Sequence, residues 1–234
     1  MNKILAAAKT IASARRDRTP LQPLAAAVAP QDEAGGYRIQ DALHELLAAD
    51  FGALVGYKIG CTSAVMQRYL GIPHPCGGGV FANGVHPSGV SLPARDFVRV
   101  GVECEIAVRL AHDLEPSQAP FTADVVAQAV EAYLPAIEIV DDRYADWQTI
   151  GAPTLVADDF FAAGCVLGEP VDDRQPPTCW ISSAVLSSTG LRMDEAPAPT
   201  CSVIRTTRWR GSPTISPPTA RPCARARSSS PAAW

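Results

Sequence analysis

Residues 101–110 read GVECEIAVRL, and this stretch decides how the chain is read. Val102, Cys104, Ile106 and Val108 alternate with Glu103, Glu105 and Ala107, the period of a β-strand. Glu103 and Glu105 then share one face, with Cα atoms about 6.6 Å apart. Two acids on one strand face describe either the wet side of an antiparallel sheet or a pair of carboxylates converging on a cation, and the spacing alone admits both.

The flanking sequence places this strand in an α+β chain. Upstream, residues 2–16 carry Ile4, Leu5, Ala8 and Ile11 at helical spacing, and YRIQDALHELLAADFG repeats the pattern with Ile39, Leu43, Leu46 and Leu47 before Gly52 stops it. From residue 53 the texture changes to short β-rich runs: 53–59, a loop GIPHPCGGGVFANGVHPSG, and the opening stretch itself. A helix is expected over about 122–133, closed by Pro135, followed by a short strand AIEIV and a buried strand in FFAAGCVLGEPV. The expected fold is thus N-terminal helices over 1–52, then a mixed, curled β-sheet over 53–174.

The remaining 60 residues, 175–234, are unlike the rest. Net charge is −4 for the 234-residue chain, yet residues 175–234 carry seven Arg, two acids and no Lys. Nine Pro and ten Ser fall there without period 2 or 3.6, the composition of a disordered basic tail. Its arginines lack interleaved aromatics apart from Trp209 and Trp234, which argues against nucleic-acid binding. No run of 18 apolar residues occurs, and the N-terminal stretch has the wrong order for a secretory signal, so a cytoplasmic protein with no membrane partner is expected. Seven cysteines without a C-x-x-C pair suggest reduced thiols and no structural zinc site.

Other candidate residues are few. Glu138 in AIEIVDD joins Glu103 and Glu105 as a third carboxylate, and three such groups in one cleft call for a hard divalent cation, Mg²⁺ or Mn²⁺. Lys58 is one of only three lysines and lies between Tyr57 and Ile59 at a strand end, where an ammonium either snorkels to solvent or serves a bound oxoacid. His44, His74, His86 and His112 share no ligand spacing and read as surface or turn residues; Cys61 has no evident base partner.

Taken in order and spacing, YRIQDAL, GYKIGCTS, VECEIAVRL, LPAIEIVDDRYADW and LVADDFFAAGCVLGEPVDD resemble the 2-keto-4-pentenoate hydratase branch of the fumarylacetoacetate hydrolase superfamily. The resemblance covers about residues 37–173 and implies a β-roll fold, metal ligation by Glu103, Glu105 and Glu138, and active-site roles for Lys58 and Asp158. It implies a magnesium-dependent hydro-lyase acting on 2-hydroxypenta-2,4-dienoate-like acids, with 4-oxalocrotonate decarboxylase and acylpyruvate hydrolase as sister activities, and a homo-oligomer. Asp159 stands where the family has Asn, and Phe160 and Phe161 replace small polar residues.

After VDD the family's later motifs, VLGHP, WLAN and a Thr-Gly turn, are missing. Residues Thr200 to Arg205, read two bases later with free third positions, permit Asp-Val-Leu-Gly-His-Pro. The same shift makes RWRGSPTIS compatible with ALAWLANHL and ARARSSSPAAW with AGEIVLTGSL. We therefore expect a frameshift near Arg174, with residues 175–234 translated out of frame and the β-roll incomplete. An inactive product that retains only a metal-binding or oligomer surface is the alternative expectation.

Overall fold

The structure is a computed structural model that describes residues 2–171 together with the backbone of 187–188, 191–192 and 203–206. Helix α1 (Lys3–Asp17) begins where the Asn2 side chain accepts from Ile4 N at 3.1 Å, and ends at Arg18 in the left-handed region. Helix α2 (Glu33–Phe51) begins on Asp32, which accepts from Gly35 N at 2.6 Å. Both helices bury one stripe: Ala7, Ala8 and Ile11 of α1 meet Ile39, Leu43 and Leu47 of α2. Leu155, Val156 and Ala157 of the later short helix α5 (Ala152–Ala157) complete that core. Leu5, expected on the packed face, is instead exposed. No helix among the described residues is long and apolar enough to cross a membrane.

The sheet is mixed. Its strands are β1 (Leu54–Gly60), β2 (Cys76–Phe81), β3 (Val85–Pro87), β4 (Val100–Leu110), β5 (Val130–Asp141) and β6 (Ala162–Leu167). Two backbone pairs, β7 (Ser187–Ser188) and β8 (Leu191–Arg192), form a separate ribbon, and β9 (Val203–Thr206) enters the main sheet. The order is β2-β1-β9-β4-β5-β6-β3, antiparallel except for β4 with β9 and β3 with β6. Short helices α3 (Ala64–Leu70) and α4 (Ala123–Ala129) lie in the connections. The expectation of a tail without regular structure otherwise falls outside the described residues.

Two sequence expectations are corrected here. The stretch GIPHPCGGGVFANGVHPSG, expected as a loop, contains β2 and β3, because its glycines serve close approach rather than turning. A Cβ on Gly78 would lie 2.6 Å from the carbonyl oxygen of Asp159, and one on Gly79 would lie 2.6 Å from His44 Nε2. Likewise the helix expected over 122–133 stops at Ala129, and a strand runs from Val130 through Pro135 to Asp141. Pro135 O accepts from Gly168 N at 2.8 Å, so this residue's polar backbone atoms face β6 just where β6 ends. The missing N–H therefore costs nothing on the β4 side, and the ladder from Val100↔Asp141 to Arg109↔Ala132 is unbroken.

Candidate active site

The β4–β5 register sets Glu103 directly opposite Glu138, while Glu105 lies opposite Ala136 on the same face as Glu103. One carboxylate oxygen from each of Glu103, Glu105 and Glu138 lies within 4.8 Å of the others, with Glu103 exposed and the other two buried. Like charges placed directly opposite destabilise a sheet, and burial removes the water that would screen them. Burial accordingly holds the Glu138 carboxyl above its ordinary value; Lys58 opposes that shift and Glu103 adds to it.

Lys58, buried on β1, is brought to this cluster. Its Nζ lies 3.0 Å from Glu138 Oε1 and donates to the Phe160 carbonyl at 2.9 Å, with the Phe160 ring centroid 5.8 Å away. Glu138 Oε1 nevertheless has no hydrogen bond in proper alignment and no solvent contact. A buried carboxylate oxygen with open lone pairs, at the centre of three acids, fits a hard oxygen-seeking cation such as Mg²⁺.

The carbonyl that holds Lys58 belongs to an unusual turn. Asp159, Phe160 and Phe161 have φ of 54°, 46° and 66°, three successive side-chain-bearing residues in the left-handed region. What holds them is a buried ion network. Asp158 is 0% exposed; Arg15 Nε reaches its Oδ1 at 2.8 Å, Arg143 Nε reaches its Oδ2 at 3.0 Å, and both arginines also donate to its carbonyl. Asp159 Oδ1 takes His44 Nε2 at 2.7 Å and Gly79 N at 2.8 Å, and its Oδ2 lies 3.0 Å from Arg15. Burial works to raise the Asp159 carboxyl, but His44 and Arg15 together outweigh it and hold this acid far below its ordinary value.

Of the five site residues expected from sequence, the fold thus gathers Glu103, Glu105, Glu138 and Lys58. Asp158 is placed in the arginine network instead, with both oxygens taken. Sequence reasoning missed Arg15, Arg143 and His44: the first looks like an ordinary C-terminal helix cation, and His44 reads as a surface residue until β2 and its glycines are folded against α2. An unspent signal was present in the paired acids Asp158 and Asp159, which are costly to bury without cations.

The α+β fold thus sets three clustered carboxylates beside a buried lysine, an arrangement whose oxygens could hold a cation. No protein-family model matches the chain. It is 36% identical over 167 residues to a 2-keto-4-pentenoate hydratase of Paraburkholderia phymatum, covering 71% of this chain and 63% of that one. It is 33% identical to a 2-hydroxypent-2,4-dienoate hydratase of Pseudomonas putida, covering 69% of this chain and 71% of that protein. A 4-oxalocrotonate decarboxylase structure from Pseudomonas putida G7, complexed with magnesium and adipate, superposes with a TM-score of 0.64 at 22% identity over 70% of this chain and 62% of that one. The chain belongs to the 2-keto-4-pentenoate hydratase family. It spans a little under two thirds of the length of the P. phymatum relative.

Proposed function

We propose that the chain is built as a divalent-metal-dependent hydratase that adds water to a 2-hydroxypenta-2,4-dienoate-like acid, giving a 4-hydroxy-2-oxo acid. The observation that carries this reading is the meeting of Glu103, Glu105 and Glu138 within 4.8 Å, beside the Lys58 ammonium. Those three acids would hold Mg²⁺ or Mn²⁺, which when bound supplies Lewis acidity toward the oxygens of a 2-oxoacid. The hydratase names of the relatives support the reaction, and the magnesium in the decarboxylase structure supports the metal.

The chain's own residues then have distinct tasks. Glu103 is the exposed member of the trio, so the cluster opens to solvent and substrate on its side. Lys58 has three N–H bonds; one is given to Phe160 O while the charge rests 3.0 Å from Glu138, and another is directed to a substrate carboxylate or carries a proton to the substrate being hydrated. Asp158, whose oxygens are taken by Arg15 and Arg143, acts as a positioning residue: it holds the turn that presents the Phe160 carbonyl to Lys58.

We also propose that the complete sheet curls into a β-roll and that residues 175–234 are an out-of-frame translation. Packing of Val80 of β2 with Leu134 of β5 and Cys165 of β6 supports the curl. The matched 167 residues leave remainders in both this chain and its relative, in keeping with a frame change. The strand slot of Val203–Thr206 needs only backbone groups to fill it.

The test follows loss of dienoate absorbance with 2-hydroxypenta-2,4-dienoate and Mg²⁺, in the chain as given and in one with residues after Arg174 in the alternative frame. Turnover that EDTA abolishes, and that Glu105→Ala removes, is expected at least in the frame-corrected chain. A folded, frame-corrected protein without turnover overturns the hydratase reading. Stop codons in the alternative frame of the gene overturn the frameshift.

A further inference from the structure

A second group of potential ligands lies outside the carboxylate trio. Glu33 opens helix α2, His74 lies in the turn before β2, and Cys76 is the first residue of β2; one ligand atom from each lies within 4.8 Å of the others. The sequence conceals the set, because Glu33 is far upstream and H-x-C is not a spacing that zinc sites use.

Three features make this more than a surface ion pair. First, His74 Nδ1 lies 3.0 Å from the Pro75 carbonyl, which only accepts, so Nδ1 donates there and Nε2 is the nitrogen left to meet a proton or a metal. That nitrogen faces Glu33 Oε2 at 3.3 Å. Two ligands on one tetrahedral Zn²⁺, with Zn–N and Zn–O of about 2.0–2.2 Å, lie about 3.3–3.4 Å apart. Secondly, the Cys76 thiol, 0% exposed, brings a sulfur into the same group, a ligand that a plain His74–Glu33 ion pair does not use. Thirdly, the frame is rigid. Tyr37, one turn after Glu33, accepts from Gly77 N at 3.1 Å, and Gln40 donates to Gly77 O at 3.0 Å, so α2 clamps the start of β2 beside the proposed ligands.

We infer that Glu33, His74 and Cys76 form a second metal site that takes a borderline transition-metal ion of the Zn²⁺ class, distinct from the Mg²⁺ site of the three glutamates. A mixed O, N and S set disfavours Mg²⁺ and favours Zn²⁺. The side chains of His74 and Glu33 are 27% and 28% exposed, which gives the ion an entry path. The Cys61 thiol interacts with that of Cys76 but does not join the group, so a water takes the fourth position.

The experiment uses the full chain, stripped with EDTA under reducing conditions and then saturated with Mg²⁺ so that the glutamate trio is engaged. Zn²⁺ is added and bound metal is counted; Co²⁺ replaces it in a parallel sample to report thiolate ligation by charge-transfer absorbance. One tightly held Zn²⁺ and a cobalt–thiolate band are expected in the starting protein. His74→Ala should weaken Zn²⁺ binding by more than about tenfold, and Cys76→Ser should abolish the band, whereas Glu105→Ala should leave both unchanged. Because Cys76→Ser alters a fully buried position, His74→Ala, at a partly exposed one, decides the matter if the serine variant fails to fold. Zinc binding insensitive to His74→Ala assigns the ion to other thiols, including Cys179, Cys201 and Cys223, and overturns the inference. So does loss of zinc binding in Glu105→Ala, or a Cys61–Cys76 disulfide found in place of metal on thiol counting before reduction.

Discussion

Replacing Asp158 with Asn separates a positioning acid from a catalytic one. The substitution keeps the shape of the side chain and removes its charge, at a site that is 0% exposed and where Arg15 Nε and Arg143 Nε approach to 2.8 and 3.0 Å. Arg15 keeps Asp159 at 3.0 Å, but Arg143 keeps the backbone carbonyl of residue 158 and, among the described residues, no carboxylate nearer than Asp141 at 3.9 Å, so one buried guanidinium is left nearly uncompensated. Breaking a buried pair in this way costs about 3–5 kcal/mol, and an amide also cannot accept from both arginine Nε groups in the same pose. For a domain of this size 1 kcal/mol moves the midpoint by about 2–4 °C, which gives a fall of roughly 6–20 °C. Urea unfolding and a thermal melt followed by far-UV circular dichroism measure it. Any turnover that survives should fall together with the loosening of the Phe160 carbonyl from Lys58. A variant within about 1 kcal/mol of the parent that has lost all turnover would refute the reasoning, because that pattern belongs to an acid that touches substrate.

Three further outcomes follow from the same geometry. Gly78→Ala places a methyl 2.6 Å from the Asp159 carbonyl and should cost about 1–3 kcal/mol while displacing the Phe160 turn; an unchanged melt and unchanged turnover would contradict it. Asp159 is held well below the ordinary range by His44 and Arg15, so its stabilisation is complete above the unfolded value of about 3.9 and is lost as pH falls below it. Asp159→Asn should therefore flatten the acid limb of a stability–pH curve, measured by urea midpoints. Glu138 is shifted the other way, so its protonated form favours the fold up to the unfolded value of about 4.3 and that contribution fades as pH rises through its elevated folded value. Mg²⁺ competes with that proton, and the rise in melting temperature on adding Mg²⁺ should be small near pH 4.5 and larger near pH 7.5; an equal rise at both would count against metal at the trio.

What could be read from the linear chain was whatever depends on local period and on residue type. Alternation in GVECEIAVRL places Glu103 and Glu105 on one face of a strand, and helical spacing marks the buried stripes of α1 and α2; both hold in the fold except at Leu5. The motif order brings in Glu138 and Lys58. Local pattern fails at Pro135 and at Gly77–Gly79, where a proline inside a strand and a glycine run that is not a turn make sense only beside the end of β6 and the carbonyl of Asp159.

Tertiary structure alone decided the contacts between distant segments. The Glu103–Glu138 opposition is a matter of register, and the contact of Lys58 with Phe160 O joins residues 102 positions apart. The capture of Asp158 by Arg15 spans 143 positions, and the approach of His74 and Cys76 to Glu33 likewise depends on α2 lying against the start of β2. Sequence determined which chemical groups the protein possesses and which faces of its elements they occupy, because backbone geometry repeats every two or 3.6 residues. Which of those groups meet was decided largely by the cost of burying charge: Glu138, Asp158 and Asp159 are each buried beside a cation that folding brings to them.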